Sequence, residues 1–218
     1  MLPHRTTVMS ISNLGHEPPQ REAHDTPSSQ DVVSPGALRG RTWLTLQTRV
    51  AARLVKGRPA TAGKPPIIGL IGFANLLRPI WQGARGDDPY ADWWLVKAEQ
   101  ALTMSGEAME AECEALGALV QREGALEMTP ASSVQPTRVA LQFANPYAYR
   151  GAQLLARYDG FARDVLMARH VGLLGREPSE RSLYQGARWV RRAFVSALGY
   201  RFVGATRVDL AQQTAKAA

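Results

Sequence analysis

The 218-residue sequence predicts a mainly α-helical protein with few short β-strands. Apolar residues recur at helical spacing through most of the chain after residue 38, above all in one long segment that starts at Pro89. Strict alternation of apolar and polar residues, which is typical of a strand, is confined to short stretches, and TRVALQF at 137–143 is the clearest of them. The helical segments therefore set the architecture, and the strands are local additions to it.

The composition divides the chain into five segments. Residues 1–37 are rich in Pro, Ser, His and Thr, and we predict a disordered tail there. Residues 38–128 are predicted to be a helical region with a long acidic helix, and residues 129–136 a linker rich in Ser, Thr and Pro. Residues 137–208 are predicted to be a basic module, followed by a polar tail at 209–218.

Several classes of protein do not fit this sequence. The single cysteine, Cys113, excludes an intramolecular disulfide, and the four histidines show no metal-ligand spacing. There is no Gly-rich phosphate loop and no Ser-His-Asp signature, so we expect no enzymatic activity, no cofactor, no metal and no small-molecule substrate. No apolar run approaches the roughly 20 residues that span a membrane, and no signal peptide is predicted. We expect a cytoplasmic protein.

The first ordered elements are short. Leu44 and Leu46 alternate with polar residues, which predicts a short strand, and VAARLV predicts a helix that ends at Gly57. Residues 58–66 are predicted to form a loop, and the apolar residues 67–81 a buried helix.

One long helix is predicted from Pro89 to about Glu123, with Asp88 as its N-cap. An acidic run lies on one face of this helix: Glu107, Glu110, Glu112 and Glu114. Two interpretations are open, a solvated helix face or a partner for arginines of this chain or of a second copy.

The strand at 137–143 has two distinct faces. Val139, Leu141 and Phe143 fall on one face, whereas Arg138 and Gln142 fall on the other with an alanine between them. Two interpretations are open. The strand is either an ordinary half-buried strand with a solvated face, or one that offers its polar face to a long anionic partner.

Three helices are predicted after this strand. Asn145 caps the first and Pro146 occupies its first turn, and Asp159-Gly160 is expected to break the helical path. A second helix is predicted over 161–174, and a third is predicted to start at a Ser179 cap and to end near Leu198.

Strand, helix, break and helix is the order of a ribbon-helix-helix module, here embedded in a larger helical domain. In such a module two chains pair their strands, and the ribbon enters the major groove of double-stranded DNA. Arg138 suits guanine and Gln142 suits adenine, so both are predicted to read bases. Phosphate contacts are predicted at arginines of the basic module and at the start of the second helix: Arg150, Gly160, Arg163, Arg188 and Arg192.

The charge pattern favours an anionic partner. The whole chain has a formal charge of +7, but residues 137–208 hold twelve arginines and four acidic residues, a net charge of +8. Residues 87–128 have the opposite net charge, −8, from ten acidic and two basic residues. A high genomic GC content is an alternative source of the arginines.

Two other functions remain open. The helix at 179–198 could be the recognition element of a helix-turn-helix, with Gln185, Arg188 and Arg192 forward, or simply a basic surface helix. The Trp93-Trp94 pair and the apolar residues 67–81 would suit a protein-interaction component of a transfer or partition apparatus if they were exposed.

Long motifs over about residues 38–208 resemble one family: RTWLTLQTRVAARLVKGR, IIGLIGFANLLRPIW, DDPYADWWL, NPYAYRGAQLLARYD, ARHVGLL, RRAF and GYRFVGATR. They are similar to proteins of integrating conjugative elements that are related to AcaB-type transcriptional regulators. The resemblance implies a homodimeric DNA-binding regulator of ribbon-helix-helix type that controls genes for element transfer. Mapped onto this chain, the ribbon would be residues 137–143.

Overall fold

The computed structural model describes residues 42–122, 129 and 131–212, all within one compact unit, Gly40–Ala218. The predicted tail at 1–37, most of the predicted tail at 209–218 and one residue of the predicted linker lie outside the described residues. None of the described helices is both long and apolar enough to cross a membrane.

The described elements are six helices and four short strands. In chain order they are β1 (Thr42–Leu46), α1 (Arg49–Lys56), β2 (Gly57–Arg58), β3 (Ile67–Ile68), α2 (Leu70–Arg85), α3 (Pro89–Arg122), β4 (Thr137–Leu141), α4 (Pro146–His170), α5 (Arg176–Val195) and α6 (Arg207–Ala211). The strands form two separate antiparallel pairs, β1 with β4 and β2 with β3. The prediction of a mainly helical fold with few short strands is confirmed.

The start of α3 follows the local sequence. The Asp88 carboxylate accepts hydrogen bonds from the backbone N–H groups of Tyr90, at 2.9 Å, and Ala91, at 3.3 Å, and Pro89 is the first helical residue. This cap satisfies N–H groups that have no partner inside the helix. The predicted long helix is confirmed, and its buried positions extend from Ala91 to Met109.

Helix α4 is longer than predicted. It continues through Asp159-Gly160, so the predicted break there is wrong, and residues 161–170 of the predicted second helix form its C-terminal part, whereas 171–174 lie beyond its end. A glycine inside a helix costs about 1 kcal/mol relative to alanine. Buried side chains on both sides of Gly160, among them Tyr158 and Phe161, offset that cost through packing.

Helix α5 begins before the predicted cap. The Ser179 N–H donates to the Gly175 carbonyl at 3.2 Å, and its hydroxyl donates to the Arg176 carbonyl at 2.7 Å. Ser179 is therefore a buried residue inside the helix rather than its N-cap, and Gly175 holds the cap position. A proline is tolerated in this first turn, where its missing N–H is not needed.

The core surrounds α4, against which α1, α2, α3 and α5 all pack. Two glycines allow the close approach of these helices. A Cβ atom at Gly151 would lie 2.8 Å from the Phe73 ring, and one at Gly186 would lie 2.8 Å from the Tyr158 ring. Since real Cβ atoms do not approach that closely, both positions require glycine for this packing.

Candidate nucleic-acid interface

The pair β1–β4 forms a two-stranded antiparallel ribbon from one chain. Leu44 lies opposite Val139, and Thr45 lies opposite Arg138. The sequence predicted that β4 would pair with the same strand of a second chain, whereas in the described structure its partner is β1. The physical reason is the alternation in β1, because Leu44 presents an apolar face that matches the apolar face of β4.

The ribbon has an apolar inner face and an exposed outer face. Leu44, Leu46 and Leu141 are buried in the core. The outer face carries exposed side chains from both strands: Trp43, Thr45, Arg138 and Ala140. The predicted orientation of the β4 residues is therefore confirmed, with Val139 and Leu141 inward and Arg138 outward.

Arg138 stands beside an aromatic ring on this outer face. Its guanidinium carbon lies 5.0 Å from the centroid of the Trp43 ring, which is 49% exposed. Such a cation–π contact is favourable and restricts the arginine to fewer rotamers, and it uses none of the five N–H donors of the guanidinium. Gln142 lies one residue beyond β4 and is exposed.

The end of the ribbon where β1 stops and β4 starts is held in place by one buried carboxylate. Asp159 of α4 accepts hydrogen bonds from the Gln47 N–H at 2.7 Å, the Thr48 N–H at 2.8 Å and the Thr48 hydroxyl at 2.7 Å. Thr48 is in turn the N-cap of α1. Asp159 therefore joins the end of β1 and the start of α1 to the middle of α4.

The other end of the ribbon is also held by α4. The Phe143 N–H donates to the Tyr149 hydroxyl at 3.2 Å, and the two rings pack edge to face at 5.2 Å. The Asn145 side chain caps α4 by accepting the Ala148 N–H at 2.9 Å, as predicted. Because α4 anchors the ribbon at both ends, the outer face is presented on a rigid support.

Arg163 lies near the Asp159 end of the ribbon. It lines a cavity of about 490 Å³ together with Gln47, Ser133 and His170. The Arg163 Nε atom is buried without a hydrogen-bond partner, and the Asp164 carboxylate is 3.8 Å away. Burial raises the pKa of Asp164, and Arg163 opposes that rise. Arg163 thus retains unused donor capacity beside the ribbon.

Arg188 and Arg192 share one exposed face of α5. Together with Gln185 and Trp189 they line a surface depression of about 560 Å³, and no acidic residue lies in its lining. Gln185, Arg188 and Arg192 thus line the same depression, and their role as a recognition face stays a prediction.

Two of the predicted phosphate contacts, Arg150 and Gly160, lie where their donors are already engaged. The Arg150 guanidinium forms an ion pair with Glu99 of α3 and lies 3.5 Å from the Thr103 hydroxyl. Gly160 is inside α4, so its N–H is not one of the free donors of a helix N-terminus, which was the reason for its selection. Neither residue contributes an unpaired donor to the ribbon.

Sequence reasoning missed three residues of this interface. Trp43 and Thr45 come from β1, and the alternation with Leu44 and Leu46 was the signal that could have placed them. Asp159 was interpreted as part of a helix break, and nothing local reveals that it binds residues 47 and 48.

Comparisons with known proteins give two matches. The family described as "Transcriptional regulator AcaB" matches residues 34–218. A crystal structure of selenomethionine-containing AcaB from uropathogenic E. coli has a similar fold, with a TM-score of 0.58 and 16% sequence identity. The match covers 72% of this chain and 75% of that one. No curated protein matches the chain.

Proposed function

The chain belongs to the family of AcaB transcriptional regulators, as its motifs predicted, and from this premise we propose that it is a sequence-specific DNA-binding regulator. The proposed reading element is the outer face of the β1–β4 ribbon. The observation that carries the proposal is a two-stranded ribbon whose apolar inner face packs in the core and whose outer face, with Arg138 and Thr45, is exposed.

A two-stranded ribbon has the width to enter the major groove of B-DNA. On the outer face Arg138 suits bidentate contact with guanine, and Gln142 at the end of β4 suits adenine. Thr45 and Ala140 offer small methyl-bearing side chains for contact with the thymine methyl group. These residue types supply direct base readout of the kind that a ribbon requires.

Phosphate contacts are proposed for the arginines that keep free donors. Arg163 lies at one end of the ribbon, and because its Nε atom is buried beside the Asp164 carboxylate, a phosphate contact would use its Nη groups. Arg188 and Arg192 are exposed and form no ion pair within residues 42–122 or 131–212. These cations would set the position of the ribbon without reading sequence.

We further propose that the regulator acts as a homodimer on genes for the transfer of a conjugative element, which is what its sequence resemblance implies. After Met109 α3 buries none of its described residues, but half-buried Cys113 and Leu116 still pack against the core of this chain, so the proposed dimer rests on the sequence resemblance alone.

The decisive experiment is binding of the purified protein to fluorescent promoter DNA of the element, against scrambled DNA, at two salt concentrations. The double variant Arg138→Ala, Gln142→Ala should lose its preference for the promoter, by about 1–3 kcal/mol for each bidentate contact. Arg78→Ala is the matched control, because Arg78 is an exposed arginine of α2 and not part of the ribbon. If the double variant prefers the same site as the natural protein, the ribbon does not read bases.

The same binding assay distinguishes base readout by the ribbon from base readout by α5 as the recognition helix of a helix-turn-helix. If α5 reads the bases, the pair Gln185→Ala, Arg188→Ala should abolish promoter preference and the ribbon variants should not. The exposed face that these two α5 residues share is the observation that favours this second arrangement.

A protein-interaction role is supported by a different surface. Trp93 is 58% exposed on α3, and its ring packs at 5.3 Å against Trp94 with Lys97 above both rings. An exposed tryptophan is typical of interface anchors. Trp93→Ala should leave DNA binding unchanged, and loss of a conjugation protein from pull-downs with this variant would favour the interaction role.

A further inference from the structure

A further cavity lies between α1, the β2–β3 hairpin, α4 and α5. Its volume is about 570 Å³, within the range of roughly 300–1,000 Å³ for small-molecule sites. Apolar side chains form much of its wall: Val50, Leu54, Ile67, Leu183 and Ala187. None of the ribbon residues lines it, so it is a separate site from the proposed DNA-reading face.

Three arginines converge on this cavity: Arg53, Arg58 and Arg191. No acidic residue is among the lining residues. Within residues 42–122 and 131–212 none of the three forms an ion pair. Three cations around one partly apolar space repel each other, and a bound anion would reverse the sign of that interaction.

Two of the arginines are held in place. The Arg58 Nη2 atom donates to the Pro65 carbonyl at 3.0 Å, while its Nε atom is buried without a partner. The Arg191 guanidinium lies 5.2 Å from the centroid of the Tyr184 ring. The guanidinium groups of Arg58 and Arg191 form no ion pair with a described residue, and an oxygen of a carboxylate or phosphate would accept charge-assisted hydrogen bonds from them.

Two tyrosines, Tyr158 and Tyr184, form uncharged aromatic parts of the cavity wall. The Tyr158 hydroxyl donates to the Leu183 carbonyl at 3.0 Å, so its proton is already used. Burial raises the pKa of Tyr158 to about 12, although Arg191 acts in the opposite direction. The phenol is therefore uncharged at neutral pH and does not neutralise the arginines.

We propose that this cavity binds a small organic anion in which a carboxylate or phosphate ester is attached to an apolar body. Arg58 and Arg191 hold the anionic group, and the apolar body packs on Leu54 and Tyr184. This site shares no residue with the ribbon, so it does not depend on the proposed base readout, although Arg191 also lines the α5 depression beside Arg188 and Arg192.

The test is a fluorescence titration of the full chain with anilinonaphthalene sulfonate, an apolar anion, followed by displacement. Naphthoate and naphthyl phosphate should displace the probe at concentrations about tenfold lower than inorganic phosphate or neutral naphthalenemethanol. The ratio between the first two competitors shows whether the site prefers a carboxylate or a phosphate.

Three cavity variants locate the binding. Arg58→Gln and Arg191→Gln should each weaken probe binding by about tenfold or more, since each removes charge-assisted hydrogen bonds. Ala187→Phe should fill the cavity and block the probe, and Arg78→Gln should have no effect. The two α5 variants change half-buried positions, so they keep the test available if Arg58→Gln disturbs the hairpin.

Three results would overturn the proposal. The first is unchanged affinity in all the folded cavity variants. The second is displacement by inorganic phosphate as readily as by the apolar anions, which would indicate a simple cationic patch. The third is displacement by duplex DNA, which would assign the cavity to a nucleic-acid surface instead.

Discussion

Arg138 and Arg207 are both exposed arginines of the basic part of the chain, but their surroundings are opposite. Arg207 bonds to Asp87 at 2.5 Å and to Asp92 at 2.6 Å, and it also donates to a backbone carbonyl of α2. Arg138 has an aromatic ring beside it and no ion pair among the described residues. The net charge of a segment therefore overstates the positive charge that its surface can offer to DNA.

The same division extends to other arginines. We call open arginines the three proposed DNA contacts that are exposed without an ion pair, Arg138, Arg188 and Arg192. We call Arg150 and Arg207 paired arginines, because they bond to acidic residues outside their own helix. The paired arginines meet α3 or the turn before it. We expect variants of the open arginines to change DNA binding, and variants of the paired arginines to change stability.

The acidic run of α3 does not take part in this pairing. Glu107, Glu110, Glu112 and Glu114 are all exposed, and none forms an ion pair with a described residue. Of the two interpretations of this run, the solvated face fits the described structure. The acids that do pair are Asp92 and Glu99, in the N-terminal third of α3.

The largest effect on stability is expected from a substitution of Asp159, whose buried carboxylate anchors the ribbon that carries Arg138. Asp159→Ala removes three hydrogen bonds and leaves buried donors at Gln47 and Thr48 without an acceptor. We expect a loss of about 3 kcal/mol in the free energy of unfolding, measured by urea denaturation.

The control is Asp164→Ala, a change of the same type on the same helix at a side chain that is 54% exposed. It should alter stability by less than about 0.5 kcal/mol. Equal stability losses in the two variants would mean that the Asp159 network does not anchor the ribbon.

Asp159 also shows where sequence reasoning ended. Asp88-Pro89 and Asn145-Pro146 were interpreted correctly because a cap and its helix lie within four residues of each other. The partners of Asp159 lie more than 110 residues away, so the same residue type was interpreted as a break. Capping chemistry that acts within one turn is visible in a sequence, and capping that acts between distant elements is not.

The candidate site also combines features that local sequence predicts with features that it does not. Alternation in β4 predicted that Arg138 would point outward, since the two faces of a strand follow from its own residues. The partner strand was wrong, because the pairing of β1 with β4 joins residues about 95 positions apart, such as Leu44 and Val139. The ion pair of Arg150 with Glu99 depends on the packing of α3 against α4, which no local pattern encodes.

The next effect concerns the salt dependence of DNA binding. The double variant Arg188→Ala, Arg192→Ala should lower the slope of log affinity against log salt by about 2, because each phosphate contact releases counterions. Promoter and scrambled DNA should lose affinity together. Titrations at four salt concentrations measure this slope.

Arg150→Ala is the paired counterpart in these titrations, and it should leave the slope unchanged because its guanidinium already binds Glu99. A slope that falls by the same amount in both experiments would remove the distinction between open and paired arginines.

A smaller effect is expected from Arg207→Ala. The ion pairs with Asp87 and Asp92 are solvent-exposed, so their contribution to stability is modest and is screened by salt. We expect a small decrease in melting temperature that shrinks as salt increases, with no change in DNA affinity. Arg207→Lys keeps the charge but not the forked geometry, so it should lie between the variant and the natural protein. A decrease that grows with salt would contradict an ionic origin.

The smallest predicted effect tests whether the exposed acidic residues of α3 shift the pKa of the Cys113 thiol. Burial raises the pKa of the Cys113 thiol, and the negative charges of Asp164, Glu110 and Glu112 raise it further. The thiol should therefore stay protonated at neutral pH, and alkylation by iodoacetamide should be slow and accelerate only in alkaline solution, because the thiolate is the nucleophile.

Glu110→Gln with Glu112→Gln should move the pH–rate profile toward lower pH, since removal of nearby negative charge favours the thiolate. Glu107→Gln changes an acid of the same run that does not affect this thiol, so its profile should not move. If Glu110→Gln with Glu112→Gln leaves the profile in place, burial and Asp164 account for the raised pKa of the thiol and the acidic run does not contribute to it.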